Sequence, residues 1–272
     1  MKPFLILLLL LSGVFIGQAQ NGTPATAGAR GAAMGNASVA FKDINSAFSN
    51  QAGLAYLSDL AFIAIAEQRF LITELQTISA AAVLPTNSGT FGLTLNYFGF
   101  EAFNQQKIGL AYARKLFEGV SIGGQVLALQ TRIPEYGSAT NVSFELGILT
   151  QLVPTLQLGV HLYSPMRIEI TPGENLPTVF KLGLAYLPSE RVTCAAEVEK
   201  DIDFPARAKF GIEYQIVEQL HLRTGIATNP VNLAFGVGYG FDNGLLFDIA
   251  SMYHQILGFT PTVTIAFQRK KS

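Results

Sequence analysis

The sequence predicts an all-β protein: a transmembrane, antiparallel, up-and-down β-barrel of about fourteen strands, with an N-terminal plug or hatch containing short helices. Three observations carry this. From Leu60 to Gln268 one unit recurs, an alternating apolar/polar run of about ten residues followed by a turn. Strand side chains point to opposite faces with a period of two, so each run has one bulky apolar face and one small or polar face. Finally, the apolar run at the N-terminus is too short for a comfortable membrane-spanning helix, and nothing after it is longer.

Residues 1–19 read as a signal peptide. Lys2 is the positive start, Phe4 to Ile16 the apolar core, and Gly17-Gln18-Ala19 a small-x-small cleavage site that leaves Gln20 first. Residues 20–58 read as the plug. Gly22, Gly28, Gly31 and Gly35 punctuate a run of small residues, and from Ser38 to Leu57 the apolar positions Val39, Phe41, Ile44, Phe48, Leu54 and Leu57 follow a weak helical period. So much glycine forbids a long helix but permits close backbone packing. Phe41 and Phe48 argue against a disordered leader. Arg30, Met34, Phe41, Phe48 and Asn50 are the candidate plug residues.

Residues 59–269 read as the barrel, with strands near 60–71, 75–85, 89–101, 104–116, 119–132, 140–152, 155–168, 177–187, 191–200, 204–215, 218–228, 231–241, 244–254 and 260–269. The connections alternate in length. Short turns such as Phe117-Glu118-Gly119 and Asp242-Asn243-Gly244 interleave with longer stretches such as Pro134 to Thr140 and Ser164 to Thr178. Short periplasmic turns and longer outer loops are the bacterial pattern, and an even strand count puts both termini on the periplasmic side. Residues 270–272 close the chain as a basic tail.

Parity assigns the faces. Phe91, Leu93 and Leu95, Phe180, Leu182 and Leu184, and Leu233, Phe235 and Val237 fall on the lipid side, with Tyr97, Tyr112, Tyr186, Tyr214 and Tyr239 near strand ends as interfacial girdles. The lone Cys194 falls on this side as a small hydrophobe. The other parity carries Lys107, Glu145, His161, Lys181, Glu197, Glu199, Arg207, Lys209, Glu213, His221, Arg223 and Asp248, with many glycines. Balanced signs suit a paired, hydrogen-bonded lumen network, and the glycines leave room for a plug. A soluble β-sandwich also alternates, but its outer face would carry more Lys, Glu, Thr and Ser than glycine and alanine.

Composition narrows the function. A net charge of −1 speaks against nucleic-acid partners. His161, His221 and His254 have no metal-ligand spacing, and no cofactor motif stands out; Gly236-Val237-Gly238-Tyr239-Gly240 lies inside a strand pattern with no helix after it. Ser143, Glu145 and His161 could share a face but lack any nucleophile elbow, so no catalytic residue is assigned.

The run Ala27-Gly28-Ala29-Arg30-Gly31-Ala32-Ala33-Met34-Gly35-Asn36-Ala37-Ser38-Val39-Ala40, followed by Ala47-Phe48-Ser49-Asn50-Gln51-Ala52-Gly53-Leu54-Ala55, resembles the start of the PorV/PorQ group, outer-membrane barrels of the Bacteroidota distantly similar to the FadL hydrophobic-compound transporters. Lys209-Phe210-Gly211-Ile212-Glu213-Tyr214 and Phe235-Gly236-Val237-Gly238-Tyr239 resemble it too. The group's second motif reads Asn-Pro-Ala-Gly-Leu; here Gln51 replaces the proline. The resemblance implies a fourteen-stranded barrel with an N-terminal hatch, and a place around the type IX secretion system. The expectation is therefore a non-enzymatic accessory subunit of an outer-membrane protein secretion or assembly complex. Its partners would be outer-membrane lipids or lipopolysaccharide and other outer-membrane or periplasmic proteins. The alternative is a FadL-like channel for hydrophobic small molecules, needing an apolar pocket near Phe41, Phe48 and Phe62 and a side opening between strands. A lipid-modifying enzyme using Ser143 is the third reading.

Overall fold

The computed structural model describes residues 24–134, 137–171 and 174–269. The expected signal peptide, its cleavage site, residues 20–23 and the tail at 270–272 lie outside the described residues.

The alternating runs form strands because their β-branched and aromatic residues pack on one side of a pleat. In chain order these are β1 Ala61–Gln68, β2 Gln76–Thr86, β3 Gly89–Phe100, β4 Phe103–Phe117, β5 Val120–Ile133, β6 Gly137–Val153, β7 Leu156–Tyr163, β8 Glu169–Thr171, β9 Glu174–Asn175, β10 Val179–Ser189, β11 Val192–Asp201, β12 Arg207–Val217, β13 Leu220–Ala227, β14 Asn232–Gly240, β15 Leu245–His254 and β16 Gly258–Gln268. Fourteen of them close one antiparallel barrel, in the up-and-down order that the alternation predicts. β7 pairs with β10, bypassing the β8–β9 hairpin, and β1 pairs with β16 to shut the seam. Both ends of the barrel wall, Ala61 and Gln268, thus lie at the end that carries the short turns.

Two strands stop earlier than the periodicity predicts, each at a residue in the left-handed region. β7 ends at Tyr163 rather than near 168: Ser164 has φ 46°, and the chain turns inward into the β8–β9 hairpin. Ile170 and Leu176 are buried there against Leu127, Leu129, Tyr163 and Val179. β1 ends at Gln68, before Phe70 and Leu71 at φ 56° and 59°. Apolar residues that continue a strand pattern here cap the loop end instead.

The outer face is apolar around the whole wall. Ile108, Leu110, Val142, Leu146, Phe180, Leu182, Phe210, Ile212, Leu233 and Phe235 are all exposed. Aromatic pairs mark the strand ends, Phe91 with Tyr112 at 5.1 Å, Tyr239 with Phe241 at 4.8 Å, and Tyr253 with Phe259 at 4.9 Å between ring centroids. A surface of this kind is satisfied in hydrocarbon, with the aromatic rings at its edges. Free Cys194 stands on this outer parity, paired with Tyr186 and Ile212. No helix among the described residues is long and apolar enough to cross a membrane.

Residues 24–57 pack inside the barrel, and Ser58 and Leu60 are exposed where the chain leaves for β1. The inner segment comprises α1 (Gly28–Ala33) and two 3₁₀ helices, Ile44–Phe48 and Gln51–Tyr56. Each 3₁₀ helix has a side-chain cap: Asp43 accepts from the Asn45 backbone N–H at 2.8 Å, and Asn50 from that of Ala52 at 3.2 Å. Room for this segment comes from a belt of small inward residues, cross-strand neighbours in the ladder: Gly92 opposite Ala111, Gly123 opposite Gly147, Gly159 opposite Gly183, Ala195 and Gly225 on either side of Gly211, and Gly236 opposite Ala250. The segment runs along that belt. A Cβ on Gly211 would stand 2.6 Å from the Met34 carbonyl oxygen, and one on Gly236 would stand 2.7 Å from Ala33 Cβ.

Candidate functional site

Lys107, Glu145, His161, Lys181, Glu197, Glu199, Arg207, Lys209, Glu213, Arg223 and Asp248 lie in three separate clusters, and among the described residues His221 makes no hydrogen bond or ion pair with any of them. In the first, Arg30 of α1 bonds Glu213 of β12 twice, Nε to Oε2 at 2.9 Å and Nη2 to Oε1 at 2.6 Å, and also contacts Asp43. Arg223 of β13 donates to the same Glu213 and to Asp248 of β15, both at 2.5 Å. The result is an alternating row, Asp43–Arg30–Glu213–Arg223–Asp248, tying the inner segment to three strands. Phe41 lies beneath the Arg30 guanidinium, 4.4 Å from carbon to ring centroid, and packs with Met34, Ala37 and Ala195.

In the second cluster Glu197 of β11 accepts the backbone N–H groups of Ser38 and Val39, at 2.8 and 2.9 Å, and bonds Lys209 of β12 at 2.7 Å. Lys209 also reaches Glu199 at 2.7 Å and the Asn36 carbonyl at 3.3 Å. Lys181 and Arg207 stand 3.8 and 3.6 Å from Glu199. One carboxylate here anchors a turn of the inner segment, and its neighbour collects three cations.

In the third, Gln51 donates to Glu145 of β6 at 2.6 Å, and His161 Nε2 of β7 lies 3.1 Å from both Gln51 Oε1 and Glu145 Oε2. Beside them Lys107 of β4 donates to the Tyr163 hydroxyl at 3.0 Å. Asn50 donates to the Val39 and Ile148 carbonyls at 2.7 and 3.1 Å. Among the described residues Ser143 Oγ is buried without a hydrogen-bond partner.

Three residues that hold these clusters are missing from the expected set. Asp43 has a local signal, an acidic residue just before a short helix. Gln51 shows itself only as a departure from the proline of the resembling motif. Tyr163 sits at a strand end, and only the fold brings it to Lys107.

A cavity of about 670 Å³ lies on the loop side of the inner segment. Its lining joins a charged wall from β10 to β12, including Lys181, Glu199, Arg207 and Lys209, to apolar groups: Phe48 below, Phe70, Met252 and Leu257 opposite, and Phe204 at the rim. His254 Nδ1 accepts the Ile256 and Leu257 N–H groups at 3.1 Å, fixing the rim hairpin. This corrects the expected pocket. Phe48 lines it, Phe41 is covered by Arg30, and Phe62 is 46% exposed on the outer face. The expected side opening is also absent among the described residues, since consecutive ladders close the wall all round. Phe62 instead borders a shallow outer groove floored by Ala64, Ala80 and Ala82.

Fold and site together define a closed fourteen-stranded transmembrane barrel carrying its own N-terminal segment. No family model matches the chain, and no curated protein does. Solved structures share the fold. The Ralstonia pickettii toluene transporter TbuX aligns over 90% of this chain and 98% of its own, with 12% identity and a TM-score of 0.67. The Pseudomonas putida toluene transporter TodX aligns over 92% and 98%, with 14% identity and a TM-score of 0.66. A Pseudomonas aeruginosa FadL homologue aligns over 92% and 100%, with 13% identity and a TM-score of 0.67. The chain therefore has the FadL-like barrel fold.

Proposed function

We propose that this chain is an outer-membrane, non-enzymatic channel that admits small hydrophobic molecules at its loop end and releases them past the inner segment, with both termini in the periplasm. The observation that carries this is the cavity beneath the loops, where Phe48, Phe70, Phe204, Met252 and Leu257 offer apolar contact directly above the inner segment. The shared fold supports it, because the neighbours include proteins described as toluene transporters and as a monoaromatic hydrocarbon channel. Toluene uptake tests it in a strain lacking the chain, with wild type or Met252→Trp restored. Wild type restores uptake and the cavity-filling variant does so poorly. Unchanged uptake of toluene and of fatty acids on deletion, with no hydrophobic molecule co-purifying, removes the reading.

A second reading keeps the accessory subunit of a protein secretion or assembly complex, in the manner of the PorV/PorQ group. The inner segment favours it: three polar clusters fasten it to the wall, as suits a scaffold that conducts nothing. Its partners would be other outer-membrane or periplasmic proteins, with lipid or lipopolysaccharide around the wall. Purification in gentle detergent at native expression decides it. Stable co-purifying proteins support this reading, and recovery as a lone monomer counts against it.

A further inference from the structure

At the turn end of the lumen, two lysines share one aromatic ring. Lys42 Nζ of the inner segment stands 4.3 Å from the Tyr56 ring centroid, and Lys115 Nζ of β4 stands 4.6 Å from it. Lys42 also donates to Gln151 of β6 at 2.9 Å. Among the described residues neither lysine has an ion pair, in contrast to Arg30, Lys209 and Arg223 in the lumen, each of which faces a carboxylate. The Tyr56 hydroxyl is buried and has no hydrogen-bond partner among the described residues. Burial, and then the charge of Lys115, hold the Lys42 ammonium below the usual lysine range, and no acid offsets either effect.

Two like charges gathered on one ring, Lys42 half-buried and Lys115 exposed, are an unfavourable arrangement by themselves. A cation–π contact returns about 0.5–1 kcal/mol at an exposed site, and a neutral amide on one of the two ammonium groups adds no charge. What the corner lacks is negative charge of about two units, which is what a phosphoryl group carries near neutral pH. Bonds from both ammonium groups to one oxyanion would be charge-assisted, the strongest class of hydrogen bond open to them.

We propose that Lys42 and Lys115 bind a phosphoryl oxyanion at the turn-end mouth, and that the bound anion fastens the inner segment to β4. The site straddles two parts of the fold: Lys42 and Tyr56 belong to the inner segment, Lys115 and Gln151 to the wall. Occupancy therefore couples the solution at the turn end to the seating of that segment.

Titration calorimetry of the full chain in detergent, at fixed ionic strength, tests this with two probes: inorganic phosphate and a short-chain phosphatidic acid. Saturable binding is expected. Lys42→Gln and Lys115→Gln each weaken it about tenfold, as loss of one charged hydrogen bond implies. Lys200→Gln, on the outside of the wall, leaves it unchanged. Amide exchange across residues 40–58 slows with phosphate in wild type and not in either lysine variant. If only the phosphatidic acid binds, and does so through these lysines, the oxyanion is a lipid head group; if phosphate binds, it is a soluble one. The proposal falls if neither probe binds saturably, or if both lysine variants bind as wild type does. Neither result bears on toluene uptake.

Discussion

Arg30 and Glu213, 183 residues apart in the chain, meet in a parallel two-bond contact inside the barrel. The guanidinium fork matches the carboxylate, so geometry as well as charge fixes where α1 sits. Arg30→Ala would leave Asp43 without its cation and Glu213 with Arg223 alone. Breaking a buried pair from one side costs about 3–5 kcal/mol. We expect the inner segment to become protease-sensitive while the wall stays folded, with Arg30→Lys between the two. Limited proteolysis in detergent, with the heat-modifiable band on gels as the measure of the folded wall, checks this.

Glu197 is predicted to hold the turn at Ser38 and Val39. Its carboxylate accepts both backbone N–H groups. Glu197→Ala orphans those two donors, each costing about 1–3 kcal/mol if left buried and unpaired. Hydrogen exchange at these amides should speed up more than tenfold. Unchanged protection would mean that the contact does not restrain the segment.

The small-residue belt makes a steric prediction. A methyl group on Gly211 would meet Met34 Cβ at 2.5 Å and the Met34 carbonyl oxygen at 2.6 Å, atoms fixed by the backbone and unable to swing away. Overpacking of this kind costs about 1–3 kcal/mol, so Gly211→Ala should displace the inner segment. In Gly240→Ala the added Cβ meets only the end of the Leu246 side chain, at 3.1 Å, and should be tolerated. Protease sensitivity of the two variants, compared side by side, decides the matter.

Gln51→Pro separates backbone from side-chain effects at the position where the resembling motif carries proline. Asn50 before it is extended, at φ −161° and ψ 102°, and Gln51 opens a 3₁₀ helix, so a proline ring fits the backbone. What is lost is the bond to Glu145, the contact with His161 and a longer bond to the Ala47 carbonyl at 3.4 Å. The barrel should fold normally, with a local loss of about 1–3 kcal/mol, read as faster exchange over residues 47–54. Failure to fold would show that the side-chain bond is needed for assembly.

The lipid face predicts a depth-dependent penalty. Leu182 is outward at the middle of β10, beside the inward Lys181. Leu182→Arg should cost about 2–4 kcal/mol in folded fraction in lipid vesicles, the value for a cation at the bilayer midplane. Leu152→Arg, near a turn, should cost clearly less.

Phe180, Leu182 and Leu184 against Lys181, Gly183 and Ala185 show how much was legible in the sequence. Strand geometry alone decides which side each residue takes, so the two faces, the strand count and the up-and-down order follow from alternation and turn spacing. Where left-handed residues override the pattern, at Ser164 and at Phe70 and Leu71, the alternation runs on past the strand end and misleads.

Alternation is enough to specify a lipid-facing wall with charges and glycines turned inward, because a period of two is a local property that each strand obeys without knowledge of its neighbours. Folding into the barrel is what brings Arg30 to Glu213 and Gln51 to Glu145 and His161, turns Phe62 outward, and gathers Lys42 and Lys115 on Tyr56. Those meetings depend on register and closure around the whole barrel, which set the distance between residues far apart in the chain; no short window of sequence contains that information.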